Sequence, residues 1–539
     1  MPTSLGDLDR LSDLATTIAG AWGARARSST STGQERAILR LFGVRGLDRA
    51  GHPLAAEVVE RYAGQHPERL AGGIALPFAM ALLEYDLAPQ QLALDVASGA
   101  VDLAFEAELL GQPDRRAVAE VEARRLTAAA YERIDANRTA RHELLDLLGE
   151  PAGPWVGTTL SRPTAAPALE EAIGLVRDGF DLLRVEVPVG WELATRLLDA
   201  GMSGVASDQD PADRLGDEAW EPAPTGSQRA LAALRHALDE AAAERRSYVR
   251  LATAAPALAA PEQAVVAAFE RVDVVEADPL SEIVAGRVDP DRALADHAFA
   301  HRLIQRGGAT LLVGAGPLVV APDLARGLPS DPATRAGRAL ALQLLGVAIA
   351  RADGLPADRI VVSALPTWLT DEPDPIPSAV AEVSVRRELL PGHLLAFAET
   401  AGAERAHPPA WPYLITAALS RGTTSDGAPG PLLLRTTPTG DGPRRLHEAR
   451  SAAMVAAELA RSVRGGQLEG AALAHAKGAV SAAIATLERL ADGGWPSVLG
   501  ETPSGARRDR PRLGADAVTE RTESFDPLAD PTAPVQGRR

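Results

Sequence analysis

The sequence predicts an α/β protein: a closed parallel (β/α)8 barrel of the TIM type, with helical segments before and after it. Three observations predict it. Short apolar runs recur from Trp155 onward, amphipathic helical stretches separate most of them, and the runs are apolar on both faces. Strands covered on both sides by crossover helices need that pattern. Eight or nine such runs between 155 and 437 fit a closed barrel better than an open doubly wound sheet. No G-x-G-x-x-G follows any of them, which weakens a dinucleotide fold further.

The elements follow in order. Residues 1–150 are expected to be a helical N-terminal region. In GQERAILRLFGVRGLD (33–48), Ile38, Leu39, Leu41 and Phe42 share a helical stripe that Gly43 ends. LAPQQLALDVASGAVDL (87–103) carries a proline near its first turn and its next break at Gly99. An Arg/Glu-rich amphipathic helix runs from Asp114 to about Leu148 without Pro or Gly. Residues 151–440 are expected to form the barrel. Its strand candidates are 155–160, 181–187, 203–207, 248–253, 272–277, 310–316, 359–365, 393–399 and 431–437. Helices such as 168–179 and 228–244 lie between them. Residues 441–500 return to helix, and 501–539, polar and aperiodic, are expected to be a mobile tail.

Composition narrows the function classes. The chain has 539 residues, 46% hydrophobic and 24% charged, ordinary for a globular protein. No uncharged apolar run reaches the ~18 residues a membrane span needs. The first twenty residues lack a basic segment followed by an apolar core, so no secretory signal is expected and the cytoplasm is the default. With no cysteine, disulfides, thiolate metal sites and thiol nucleophiles are excluded. A net charge of −17 without a basic patch makes nucleic acid a poor partner. Lys477 is the single lysine, hence this chain's one Schiff-base candidate. It falls on a late helix and not at a strand end, so a solvated helix position is expected.

The motifs that could carry chemistry are few. His297 and His301 in DHAFAH share a helical face at i, i+4. Position 298 is Ala where a zinc protease helix needs Glu, so an exposed or capped helix face is expected and not a metal site. VGAG (313–316) follows a strand but opens no clear helix, which suits a tight turn better than a phosphate cradle. Barrel enzymes place their chemistry at the C-terminal strand ends. The polar residues there are Thr158, Thr159, Glu186, Thr253, Glu276 and Asp278, and they display no nucleophile–base–orienter set.

Several segments, in order, resemble the α subunit of lysine 5,6-aminomutase and its relative ornithine 4,5-aminomutase: ERAILRLFGVRGLD (35–48), APQQLALDVASGAVDL (88–103), NRTAR (137–141), SYVRL (247–251), FERVDV (269–274) and FDPL (525–528). The resemblance implies a TIM barrel with pyridoxal phosphate (PLP) at its mouth. It also implies a separate β subunit carrying adenosylcobalamin and the Schiff-base lysine. The implied reaction is a 1,2-amino-group migration on a basic amino acid.

Aligned to the family's cofactor positions, this chain keeps Gly190 and Asp278 and has Thr253 where the family has an asparagine, and the resemblance implies these three as its PLP contacts. Its other positions there differ. The family's Arg-Thr-Thr-Gly stretch, with a serine after it, reads Val187, Pro188, Val189, Gly190, with Glu192 in place of the serine. Ala254 and Pro256 stand where hydroxyl-bearing contacts are expected, and Ser281 where the ring-stacking tyrosine is. Pro317 and Leu318 replace an acidic pair, and Ala364 a histidine. Charged hydrogen bonds are each worth roughly 1.5–3 kcal/mol, so weak PLP binding is expected. Arg250, Pro261, Glu262, Glu270, Arg271 and Asp273 match and read as scaffold. The alternatives to an active subunit are a catalytically degenerate scaffold or regulatory partner, or a barrel that binds another small molecule without PLP.

Overall fold

The computed structural model describes residues 7–48, 51–64, 66–151, 155–160, 165–185, 228–255, 258–284, 288–314, 331–363, 375–391, 393–398, 432–436, 470–499, 517–522 and 525–529. The N-terminal region is a collar of helices: α1 Leu8–Ser28, α2 Thr32–Leu41, α3 Leu54–Ala63, α4 Ala75–Tyr85, α5 Pro89–Ser98, α6 Leu103–Leu109 and α7 Pro113–Leu148. A three-residue strand, β1 Ser29–Ser31, interrupts it between α1 and α2. Local chemistry sets the ends. The Ser31 hydroxyl accepts from the Gln34 amide at 3.0 Å and caps α2. Pro89 opens α5, and Gly99, at φ 80°, closes it in the left-handed conformation.

The barrel closes through eight parallel strands: β2 Val156–Thr159, β3 Leu182–Val185, β4 Arg250–Ala254, β5 Val274–Glu276, β6 Thr310–Val313, β7 Ile360–Ser363, β8 Leu394–Ala398 and β9 Leu432–Thr436. Each pairs with its sequence neighbour, and β9 returns to β2 with Val156 opposite Leu434. The crossover helices are α8 Ala165–Asp178, α9 Gln228–Arg245, α10 Ala260–Phe269, the pair α11 Pro279–Val284 and α12 Pro290–Gly307, α13 Pro332–Ala352 and α14 Pro375–Leu389. Helix α15 Gly470–Leu499 follows β9. The candidate strand at 203–207 lies outside the described residues. No described helix is long and apolar enough to cross a membrane.

Alternation along the strands separates two apolar clusters. Trp155, Leu182, Ala252, Val274, Leu312 and Val361 pack with one another inside the barrel. Their neighbours Leu183, Leu251, Val275, Leu311 and Val362 face the helices and join the continuous outer core. Inward and outward positions alternate with period two, as the pleat requires.

Two buried polar networks hold the collar to the barrel. Ahead of β5, Asp273 accepts from Arg141 Nε at 2.8 Å, Arg235 Nη1 at 2.9 Å, Tyr248 OH at 2.7 Å and the Leu251 amide at 2.9 Å. Arg141 comes from α7 and Arg235 from α9, so one carboxylate joins three parts of the chain. On the other side of α10, Glu262 binds Arg36 at 2.8 Å and Arg40 at 3.0 Å, both from α2. Every residue of α2 is buried. The helix therefore lacks the solvent face that a single apolar stripe suggests, because its arginines are neutralised inside.

The expected mobile tail is corrected in part. Within it, β10 Val518–Glu520 pairs antiparallel with β1, Ser31 opposite Val518. Phe525 and Leu528 are buried in the main core, and Tyr131 donates to the Leu528 carbonyl at 2.9 Å. Three strand residues and two apolar anchors are too few to register as periodicity.

Candidate functional site at the barrel mouth

The C-terminal strand ends hold a charged pair inside the barrel. Arg184 follows Leu182 at the next inward position of β3, and Glu276 follows Val274 at the next inward position of β5. Ala254, the corresponding residue of the intervening β4, is small enough to let them meet across it. Arg184 Nε and Nη2 reach the two Glu276 oxygens at 2.9 and 2.8 Å, a bidentate fork. Their side chains remain 14% and 13% exposed, against 5% and 4% for Arg141 and Asp273. This pair therefore keeps contact with solvent, whereas the Arg141–Asp273 pair is sealed. Thr159 stands beside Arg184 in register on β2. On β7, Ser363 lies one inward position beyond Val361, and its buried hydroxyl has no hydrogen-bond partner among the described residues.

The residues expected at the mouth fall in different places. Thr253 alternates with inward Ala252 and points outward. It is fully buried, and its hydroxyl accepts from Gln263 of α10 at 3.2 Å. Asp278 lies just beyond β5 and is committed to backbone, accepting from the Leu280 amide at 3.0 Å and the Gly314 amide at 2.9 Å. It fixes the start of α11 to the end of β6. Gly190 lies outside the described residues, as do Glu186, Val187, Glu192, Pro256, Pro317, Leu318 and Ala364. So do Ala315 and Gly316 of the VGAG turn. Gly314 has φ 78°, and a Cβ there would lie 2.8 Å from the Gln343 side chain, so its role is close packing in a turn.

Beneath that turn a buried chain of polar groups supports the mouth. Gln343 donates to the Ser363 carbonyl at 2.9 Å, Arg386 donates to Gln343 Oε1 at 2.6 and 2.8 Å, Arg386 pairs with Glu382, and Glu382 meets His475 of α15 at 3.0 Å. Burial opposes the Glu382 charge, but Arg386 and His475 outweigh it and hold the carboxyl below its ordinary range.

The two histidines of α12 are a correction. Both are buried, not exposed. His297 Nδ1 meets the Ala293 carbonyl at 2.8 Å, and His301 Nδ1 meets Asp353 at 2.9 Å. Burial, then the neighbouring His301, pushes the His297 imidazole down to about 3. Lys477 is exposed on α15, as its sequence position suggested. Sequence reading passed over Arg184, because DLLRVEV reads as an apolar run. Its alternation of Leu182, Arg184 and Glu186 is the signal that marks one face of the strand.

The comparisons agree with the architecture. The family model for the D-lysine 5,6-aminomutase TIM-barrel domain of the alpha subunit matches residues 5–362. The lysine 5,6-aminomutase alpha subunit of Fusobacterium nucleatum is 25% identical over 334 residues, 60% of this chain and 57% of that protein. The corresponding subunit of Acetoanaerobium sticklandii is 26% identical over 289 residues, 53% of this chain and 51% of that one. The chain thus spans little more than half the length of these relatives. A rubisco-like protein from Burkholderia fungorum superposes with a TM-score of 0.32 at 15% identity, covering 61% of this chain and 68% of its own, too loosely to define a shared fold.

Proposed function

The chain belongs to the family of the D-lysine 5,6-aminomutase α-subunit barrel, and from that premise we propose that it is the barrel component of a cytoplasmic assembly with a cobalamin-binding β-type partner. The supporting observation is where the family residues have gone. Arg250, Glu262, Glu270, Arg271 and Asp273 are all engaged in buried or half-buried ion pairs, mostly at strand starts and the collar junction. Conservation of fold at that end of a barrel reads as stability, and chemistry belongs to the other end. The reaction such an assembly performs is a 1,2-rearrangement on a small amine-bearing substrate, with adenosylcobalamin supplied by the partner. Purification of the chain from its native host followed by mass spectrometry of the complex tests this. A stoichiometric second polypeptide with a cobalamin-binding domain is expected, and recovery of a monomer or homodimer alone at native abundance rejects it.

PLP does not fit the described mouth. A dianionic phosphate needs cations or free donors. The described cation there, Arg184, has its fork on Glu276, Thr253 faces away, Ala254 offers no side-chain donor, and Ser363 offers only one uncharged hydroxyl. Titration of the reconstituted complex with PLP, read by the absorbance of the internal aldimine and repeated with Lys477→Ala, is expected to show only weak binding that the variant leaves unchanged. Tight stoichiometric binding in both proteins restores the PLP-dependent aminomutase. The mouth chemistry favours a second reading of the same barrel: it takes a small molecule without PLP.

A further inference from the structure

We infer that the cavity between α1, α12 and the late segment after β10 is a binding site for a small anion with two or more charged oxygen groups, a polyphosphate or a polycarboxylate, which fastens the late segment to the collar.

The cavity has a volume of about 240 Å³. Arg27 from the end of α1, Arg302 from α12 and Arg521 from just past β10 line it, and Asp526 is the one acidic side chain on its wall. Three guanidiniums against one carboxylate make a local excess of positive charge in a chain whose net charge is −17. Asp526 pairs with Arg302, at 2.7 and 3.2 Å. The counter-charges of the other two arginines stand behind the wall. Arg27 Nη1 reaches Asp353 at 3.1 Å, and Arg521 Nη2 reaches Glu35 at 3.4 Å. Both carboxylates are sealed and shared, Asp353 with His301 and Glu35 with Thr30 and the Ile74 amide.

This pairing holds the arginines in place and leaves donors over. Arg27 Nε and Nη2, Arg302 Nε, and Arg521 Nε and Nη1 make no hydrogen bond among the described residues. The three side chains are 43%, 35% and 14% exposed, so a dissolved ligand reaches them. The end of α1 would ordinarily repel an anion with its bare carbonyls. Here they are already bound. The Arg25 carbonyl accepts from the Ser28 and Ser29 hydroxyls, the Ala26 carbonyl from the Ser29 amide, and the Ser28 carbonyl from the Arg521 amide at 2.7 Å.

The size and layout of the cavity select the ligand. It is several times the ~30 Å³ share of one water, and its donors come from three separate segments. A one-point anion such as acetate serves one guanidinium and leaves the others in water. A ligand with two charged groups bridges Arg521 to Arg302 or Arg27 with charge-assisted hydrogen bonds at both ends. Phe299, Phe525 and Pro527 complete the wall and pack against its skeleton. Once bound, it ties the late segment to α1 and α12 beside the β1–β10 pairing.

The test is calorimetric titration of the purified full-length chain with pyrophosphate, citrate and acetate at constant ionic strength. Pyrophosphate, citrate or both are expected to saturate one site, and acetate to bind at least about tenfold more weakly. Which of the first two binds distinguishes a phosphate from a carboxylate ligand. Arg302→Gln and Arg521→Gln are each expected to weaken binding by about tenfold or more. Asp526→Asn, which keeps an acceptor for the Leu528 amide, is expected to strengthen it by removing the competing charge. A merely structural Arg302–Asp526 pair would move both of its variants the same way. Hydrogen exchange at the β1 and β10 amides is expected to slow when the polyanion is added to the unmodified chain, and not in Arg302→Gln at the same concentration. Non-specific stabilisation by an excluded salt would slow exchange in both. Three results overturn the inference: no saturable binding of either polyanion, acetate binding as tightly as the polyanions, or unchanged affinity in both arginine variants. Arg302→Gln loses only a half-exposed pair and is expected to fold. Should Arg521→Gln fail to fold, the opposite responses of Arg302→Gln and Asp526→Asn decide, and equal responses overturn the inference.

Discussion

Asp273 carries more of the structure than its position ahead of a short strand suggests. Burial opposes its charge, but Arg141 and Arg235 outweigh that and hold the carboxyl below its ordinary value. Asp273→Ala leaves the buried Arg141 guanidinium facing no anion and Arg235 with Asp239 alone, and is expected to cost about 3–5 kcal/mol in urea unfolding. Linkage gives the acid behaviour. A depressed folded-state pKa contributes stability in full above the unfolded value of about 3.9, and that contribution is lost as pH falls through the folded value. His297 acts in a higher window. Its folded-state pKa of about 3 lies below the unfolded value of about 6.5. The unfolded chain therefore binds the proton first, and stability declines as pH falls from about 6.5 toward 3. The melting temperature of His297→Phe is expected to fall less steeply than that of the unmodified chain across this window. Equal slopes would mean the imidazole titrates normally.

Among the elements, the late strand and its anchors are the most informative. Phe525 is buried against the core by a segment that follows β10. Phe525→Ala is expected to destabilise the chain by roughly 3 kcal/mol, as large-to-small changes in cores do. Hydrogen exchange should rise at the β1 amides, which pair with β10. Unchanged exchange there would show that β10 is held independently of its anchors. The same elements show what a sequence can and cannot disclose. Seven barrel strands lie within the expected runs and β4 passes its run by one residue, because burial on both faces leaves an apolar signature over three to five residues. Helix α7 begins at Pro113, one residue from the expected start, because a proline marks its first turn. The three-residue β1 and β10 have no such signature, since their pairing depends on residues far apart in the chain. Thr253 reads as a strand-end hydroxyl in one dimension, and only the parity set by Ala252 shows that it points away from the mouth. The buried arginines of α2 were hidden for a related reason: a charge is legible in a sequence, but its neutralising partner, Glu262, is not.

At the scale of the whole molecule, one end of the barrel holds Arg250, Glu262, Glu270, Arg271 and Asp273 in buried or half-buried ion pairs while the other presents the partly exposed Arg184–Glu276 pair. That separation means that substitutions at the mouth leave the collar junction intact, because the groups that tie collar to barrel are remote from it. Strand β1 has a further consequence, one of timing. Its central residue, Thr30, receives a hydrogen bond from Arg521, 491 residues later. During synthesis at about 5–20 residues per second, the collar therefore spends tens of seconds with an edge strand unpaired after its helices have left the ribosome. An unpaired edge is a template for pairing with another chain. The completed protein hides that edge, but each nascent copy must survive it, and in a crowded polysome the edge closes only once the segment that carries β10 has emerged.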